Sequence, residues 1–134
     1  MLQKLNKKHG AFTLVEIMVV VAIIALLAAL AVPNFLRSRK RSQATRILED
    51  LRLIDAAVDL YATENNKAGG TSVTWADVQN YLKVGSALYM SGHLDLLGNT
   101  YGTTFTVDVI PVVPAATFTA LSDVAPNTFW SPYK

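Results

Sequence analysis

The chain of 134 residues contains no cysteine. No disulfide framework can staple it, so a small domain here must be held by packing alone. Its redox compartment cannot be read from the same absence. Histidine is nearly as scarce, with His9 at the start and His93 beyond it. A Ser/His/Asp triad would have to use His93, which follows Gly92 in a turn-rich stretch, and no nucleophile-elbow sequence occurs. No EF-hand spacing and no internal repeat are present. The sequence therefore offers no catalytic constellation, and the expectation is a protein that is not an enzyme. A further absence shapes the rest: between Ile17 and Val32 there is no charged or strongly polar side chain.

That stretch is extended by Phe12–Val15 on one side and by Phe35–Leu36 beyond Pro33-Asn34 on the other. Its length is close to the ~20 residues that cross ~30 Å of hydrocarbon. One carboxylate, Glu16, lies inside it. Fifteen Phe, Leu, Ile and Val residues lie between Phe12 and Leu36. At about 0.3–0.6 kcal/mol each, such residues outweigh one acid costing about 3 kcal/mol. The segment should enter a membrane despite Glu16, and the acid then needs a partner.

Charge is divided along the chain. Residues 1–46 hold eight Lys/Arg and one acid, a net +7, whereas residues 47–134 hold four Lys/Arg and nine acids, a net −5. Residues 1–11, MLQKLNKKHGA, carry three lysines without a core-forming pattern and read as a leader. Basic residues flank the apolar run on both sides, so the positive-inside rule gives no orientation.

Beyond Pro33, where a kink is expected, the helical period resumes. Ala44, Ile47, Leu48, Leu51, Ile54, Val58 and Tyr61 form one apolar stripe. Arg46, Glu49, Asp50, Arg52, Asp55 and Asp59 take the other side, with Arg46–Asp50 and Arg52–Asp55 spaced to pair. The spacing predicts one helix from about Phe12 to about Glu64, roughly 80 Å long. NNKAGG (65–70) should end it. Thr74 with Asp77 reads as the N-cap of a short helix, Trp75 to Lys83, burying Trp75, Val78 and Leu82. TTFTVDV (103–109) alternates as a half-buried strand, and Thr117–Leu121 and Thr128–Trp130 are weaker strand candidates. The fold class expected is α+β, with a long N-terminal helix packed on a small antiparallel sheet.

A short basic leader, then FTLVE, then an apolar stretch ending in PNF, resembles type IV pilins and the pseudopilins of type II secretion. The resemblance covers about residues 4–62. It implies cleavage by a prepilin peptidase just before the Phe of the motif and methylation of the new amino terminus. It also implies pairing of the fifth mature residue, a Glu, with the terminal amine of a neighbouring subunit. Carried over, Phe12 is the first mature residue, Glu16 the fifth, and Pro33 the helix-weakening proline. The family's usual glycine before the cut is Gly10 here, with Ala11 intervening. Cleavage after Ala11 keeps Glu16 and Pro33 in register, and cleavage after Gly10 shifts both by one; the register favours the first.

The division implied is a leader (1–11), a membrane and filament-core helix (12–36), an amphipathic helix (37–64) and a small α+β head (65–134). The partners implied are further copies in a helical filament, the prepilin peptidase, and an inner-membrane assembly platform with its ATPase. The place implied is the inner membrane, with the leader cytoplasmic, and then a periplasmic or surface filament. Arg37, Arg39, Lys40 and Arg41 suit anionic lipid headgroups or acidic faces of neighbouring subunits, with nucleic acid a second reading. No cofactor is expected. Calcium is the one ion left open, with Asp95, Asn99, Asp108 and Asp123 as donors, because LGNTY (97–101) is similar to a turn in major pseudopilins. Two alternatives stand beside the filament subunit: a DNA-uptake or adhesive pilin-like module, and a soluble secreted protein cut at a signal-peptidase-like Ala29-Leu30-Ala31.

Overall fold

The structure, a computed structural model, describes residues 10–134. The leader expected over residues 1–11 lies mostly outside these. The chain divides into a unit ending at Leu36 and a second unit, Arg37–Lys134. Helix α1 runs Leu14–Glu64, close to the expected span. It continues without interruption through Pro33. Proline has no N–H to give its turn, and the Asn34 side-chain amide donates to the Leu30 carbonyl at 3.2 Å in that turn.

In the first unit every apolar side chain of α1 is exposed, from Leu14 to Leu36. In the second, Ala44, Ile47, Leu48, Leu51, Ile54, Ala57, Val58 and Ala62 are buried. This is the expected inner stripe, with Tyr61 half-buried beside it. The helix ends where Asn66 adopts a left-handed conformation (φ 49°) and the Lys67 N–H returns to the Ala62 carbonyl at 2.9 Å. Asparagine tolerates that conformation better than most residues, which makes it a usual helix stop.

Strands β1 (Ser72–Thr74) and β2 (Thr104–Thr106) pair antiparallel, with Val73 opposite Phe105. Both of these side chains are buried in the core with the α1 stripe. Between the strands, α2 (Trp75–Gln79) begins as expected: the Asp77 carboxylate accepts from the Thr74 N–H at 3.1 Å and the Thr74 hydroxyl at 2.6 Å. Trp75, Val78 and Leu82 are buried. The helix stops at Gln79 rather than Lys83, and single tight turns carry the chain from there to Leu82. A second short helix, α3 (Ala87–Ser91), was not foreseen; Ser86 caps it by accepting from the Tyr89 N–H at 3.2 Å.

Three expectations are corrected. Strand β2 ends at Thr106, because Asp108 turns the chain at φ 64° and leaves Val109 exposed. The strand candidates Thr117–Leu121 and Thr128–Trp130 are helical: α4 spans Ala115–Leu121 and α5 spans Asn127–Trp130. Pro114 and Pro126 stand at their starts, where a fixed φ and a missing N–H suit a first helical turn. The Phe118 and Phe129 N–H groups bond the carbonyls of these prolines, each at 2.9 Å. Finally, the pairs Arg46–Asp50 and Arg52–Asp55 do not close. Asp50 instead accepts from the Tyr101 hydroxyl at 3.1 Å, and Asp55 from the Tyr133 hydroxyl at 3.4 Å. Both acids point toward aromatic residues packed over α1.

Candidate assembly site

The sequence singled out Glu16, and the structure gives it a local partner. Thr13 precedes α1, and its N–H donates to Glu16 Oε2 at 2.8 Å while its Oγ1 accepts from the Glu16 N–H at 3.2 Å. This is a capping box, in which two orphan amides of a helix start are satisfied reciprocally. The T-x-x-E spacing of Thr13 and Glu16 announces it, and Thr13 went unread in the sequence. The box holds the carboxylate at the helix N-terminus, where the dipole favours an anion. It occupies one carboxylate oxygen; among the described residues, Oε1 has no hydrogen bond. Gly10, Ala11 and Phe12, between which the sequence places the cut, precede the helix and are exposed.

The basic run lies in the second unit. Lys40 Nζ contacts Asp123 Oδ2 at 3.0 Å, the one ion pair among the described residues. Lys40 holds the Asp123 carboxyl below the usual carboxylate range. Arg41 donates to the Val124 carbonyl and lies 4.2 Å from the Phe129 ring centre, a cation–π contact. Lys40 and Arg41 thus tie α1 to the segment between α4 and α5, while Arg37 and Arg39 remain exposed.

The four oxygen donors weighed for calcium lie in three places. Asp95 and Asn99 share a turn, in which Asp95 Oδ1 accepts the Leu97 and Asn99 N–H groups, each at 2.8 Å. Asp108 lines a polar hollow with Asp59, Asn66 and Lys67, and Asp123 is paired with Lys40. Among the described residues, no three His, Cys, Asp or Glu side chains converge as metal ligands. Asp95 Oδ2 accepts from the Thr117 hydroxyl, which also accepts from Asn99 Nδ2 at 2.9 Å. Thr117, fully buried, is a network residue that sequence reading took for strand. His93, in its turn-rich stretch, is half-buried, its ring 5.8 Å from that of Trp75 and edge-on to it.

The N-terminal segment, residues 6–32, matches the prokaryotic N-terminal methylation motif. The chain thus combines this motif with an α+β fold of one long N-terminal helix and a small antiparallel sheet. It is similar to a type II secretion system core protein G from Aeromonas hydrophila, 33% identical over 62 residues, which are 46% of this chain and 43% of that protein. The protein of that name from Pectobacterium carotovorum is 37% identical over 64 residues, 48% of this chain and 41% of its own. A type IV major pilin, PilA of Myxococcus xanthus, is 36% identical over 64 residues, 48% of this chain and 29% of the pilin. The matched region spans less than half the length of these relatives. No solved structure matches the chain significantly.

Proposed function

We propose that the chain is a structural, non-catalytic subunit of a type IV pilus-like or type II secretion pseudopilus filament, assembled through its N-terminal helix after prepilin peptidase processing. The observation carrying this reading is an acid, Glu16, at the head of a helix whose apolar side chains from Leu14 to Leu36 are all exposed among the described residues. Cleavage after Ala11 creates an ammonium one residue before Thr13. Glu16 Oε1 of a neighbouring copy accepts from it, and the capping box keeps that carboxylate aimed. Removing one member of such a desolvated pair typically costs about 3–5 kcal/mol, enough to fix the axial register between copies. The apolar span anchors the chain in the inner membrane before assembly, and on extraction it exchanges lipid contacts for contacts with other helices. The head is then carried to the periplasmic or surface side, with the assembly platform and its ATPase as membrane partners.

The engagement of Lys40 and Arg41 inside the head supports this reading over nucleic-acid binding, because it leaves two of the four cations, Arg37 and Arg39, for an outside partner. Glu16→Ala tests the pairing. Expression and membrane insertion should be unchanged and filaments lost or strongly reduced in electron micrographs of the native host. Normal filaments from that variant would refute it.

A further inference from the structure

The basic run that follows the apolar span is divided by the structure into two pairs with different duties. Between Glu16 and Glu49 the chain has no acid, so no residue of that stretch neutralises Arg37, Arg39, Lys40 and Arg41. Lys40 pairs with Asp123 at 3.0 Å, and Arg41 donates to the Val124 carbonyl and lies over the Phe129 ring. These two cations are held by the segment between α4 and α5. Arg37 and Arg39 are exposed, and among the described residues neither forms an ion pair. Asp123 is held low chiefly by its hydrogen bond from Lys40, and Arg37 contributes least. The one lysine of the run is thus engaged in the head, and the two free cations are both arginines.

Their position along α1 says what they face. Arg37 and Arg39 stand one and three residues beyond Leu36, where the apolar run ends, and α1 is continuous there. That is a rise of about 1.5 and 4.5 Å. A headgroup layer is about 5–8 Å deep, half the difference between a ~30 Å hydrocarbon core and a 40–45 Å bilayer. Phe12–Leu36 is slightly longer than the core, and tilt absorbs the excess. Both guanidinium groups therefore fall at headgroup level, on stems long enough to follow it. They point about 200° apart around the helix, so they reach separate headgroups. A guanidinium is always charged, and its planar fork matches a phosphate bidentately.

We propose that Arg37 and Arg39 bind the phosphates of anionic phospholipids on the side of the membrane where the head emerges. Lys40 and Arg41 meanwhile hold the head to the same turn of the helix. The contact retains the subunit in the membrane until extraction, which breaks it. The proposal rests on the reading of the span as a membrane anchor and deepens it by naming the lipid class and the two residues. Each cation near an anionic surface is expected to favour it about fivefold.

The test uses the full chain in a nonionic detergent with equal amounts of the anionic lipid POPG and the zwitterionic POPC, and native mass spectrometry counts the lipids retained on single copies. Single copies exclude the acidic faces of neighbouring subunits as the partner. The lysines of residues 1–11 are common to all variants, so differences between variants report on the arginines. The unmodified chain should retain POPG over POPC at least fivefold. Arg37→Gln with Arg39→Gln should lower that preference at least fivefold, and Arg37→Lys with Arg39→Lys should keep most of it. Lys67→Gln with Lys83→Gln, two exposed cations farther along the chain, should leave it unchanged.

Equal retention of the two lipids by the unmodified chain would overturn the proposal. So would a POPG preference that survives the double glutamine change, or one that falls equally with Lys67 and Lys83. Displacement of POPG by an oligonucleotide at equal concentration would overturn it in favour of nucleic acid. Tryptophan emission from Trp75 and Trp130 checks that each variant is folded. Should the double glutamine chain fail that check, Arg39→Gln alone decides, because Arg39 points away from Arg37, and its preference should fall at least threefold. Filaments are scored separately by electron microscopy in the native host. Lost lipid preference in the unmodified chain with normal filaments overturns only this assignment, whereas absent filaments from that chain would remove the filament reading itself.

Discussion

Substitution of Thr117 by Val should be among the most damaging single changes in the head, although it alters side-chain volume little. Thr117 is fully buried. Its hydroxyl donates to Asp95 Oδ2 and accepts from Asn99 Nδ2 at 2.9 Å. Asp95 is itself buried, 5% exposed, so water cannot readily replace the lost donor. A hydrogen bond to a charged acceptor is worth about 1.5–3 kcal/mol, and a neutral one about 0.5–1.5 kcal/mol. The loss expected is therefore about 2–4 kcal/mol, large against a total stability of about 5–15 kcal/mol. Thr117→Ser keeps both hydrogen bonds and forfeits a methyl group, at about 1 kcal/mol. The ranking is the prediction: Val costs more than Ser. Urea unfolding of the full chain in detergent micelles, followed by Trp75 and Trp130 fluorescence, measures both variants against the parent. If Thr117→Val proved as stable as Thr117→Ser or more so, the hydroxyl would not be holding the turn at Asp95 to α4.

Further outcomes follow from other parts of the chain. Leu51→Ala, at a fully buried position of the inner stripe, should cost about 2–5 kcal/mol in the same unfolding assay. Thr13→Val removes the hydroxyl of the capping box and leaves Glu16 less well aimed; filament yield should fall, though less than for Glu16→Ala, while membrane insertion is retained. Burial raises the Asp50 carboxyl above its ordinary value of 3.8. Its protonated form therefore favours the folded state, a stabilisation present at acid pH that is lost as pH rises from near 3.8 through the raised value. Asp50→Asn should flatten that part of the stability–pH curve, and an unchanged curve would show that Asp50 titrates as in the unfolded chain. The Lys40–Asp123 pair is exposed on both sides, so Lys40→Ala should have a small effect that fades with added salt.

The features that could be read from sequence were those set by period and by local chemistry. The span of α1, its buried stripe, the stop after Glu64 and the Thr74–Asp77 start of α2 all follow from neighbouring residues, and all are present. The last third was misread for one reason. Pro114 and Pro126 look like strand boundaries beside Thr, Phe and Val, and nothing local says that each begins a helical turn. The side-chain pairings of Asp50 and Asp55 depend on Tyr101 and Tyr133, 51 and 78 residues away, which no helical spacing rule includes. At the candidate site, Glu16 stands out in the sequence because a carboxylate in an apolar run has few explanations. Its hydrogen bond from Thr13 is equally legible, in the T-x-x-E spacing of a capping box.

The most direct test of the account is the mass of the N-terminal peptide from membrane and sheared-surface fractions of the native host. The account predicts a peptide beginning at Phe12 and carrying one added methyl group, which puts a free ammonium within reach of a neighbouring Glu16. A methylated start at Ala11 would keep the processing and move the register by one residue. A mature chain beginning at Val32 would contradict the account, because the apolar helix would then be a discarded signal and could not form the core of any filament.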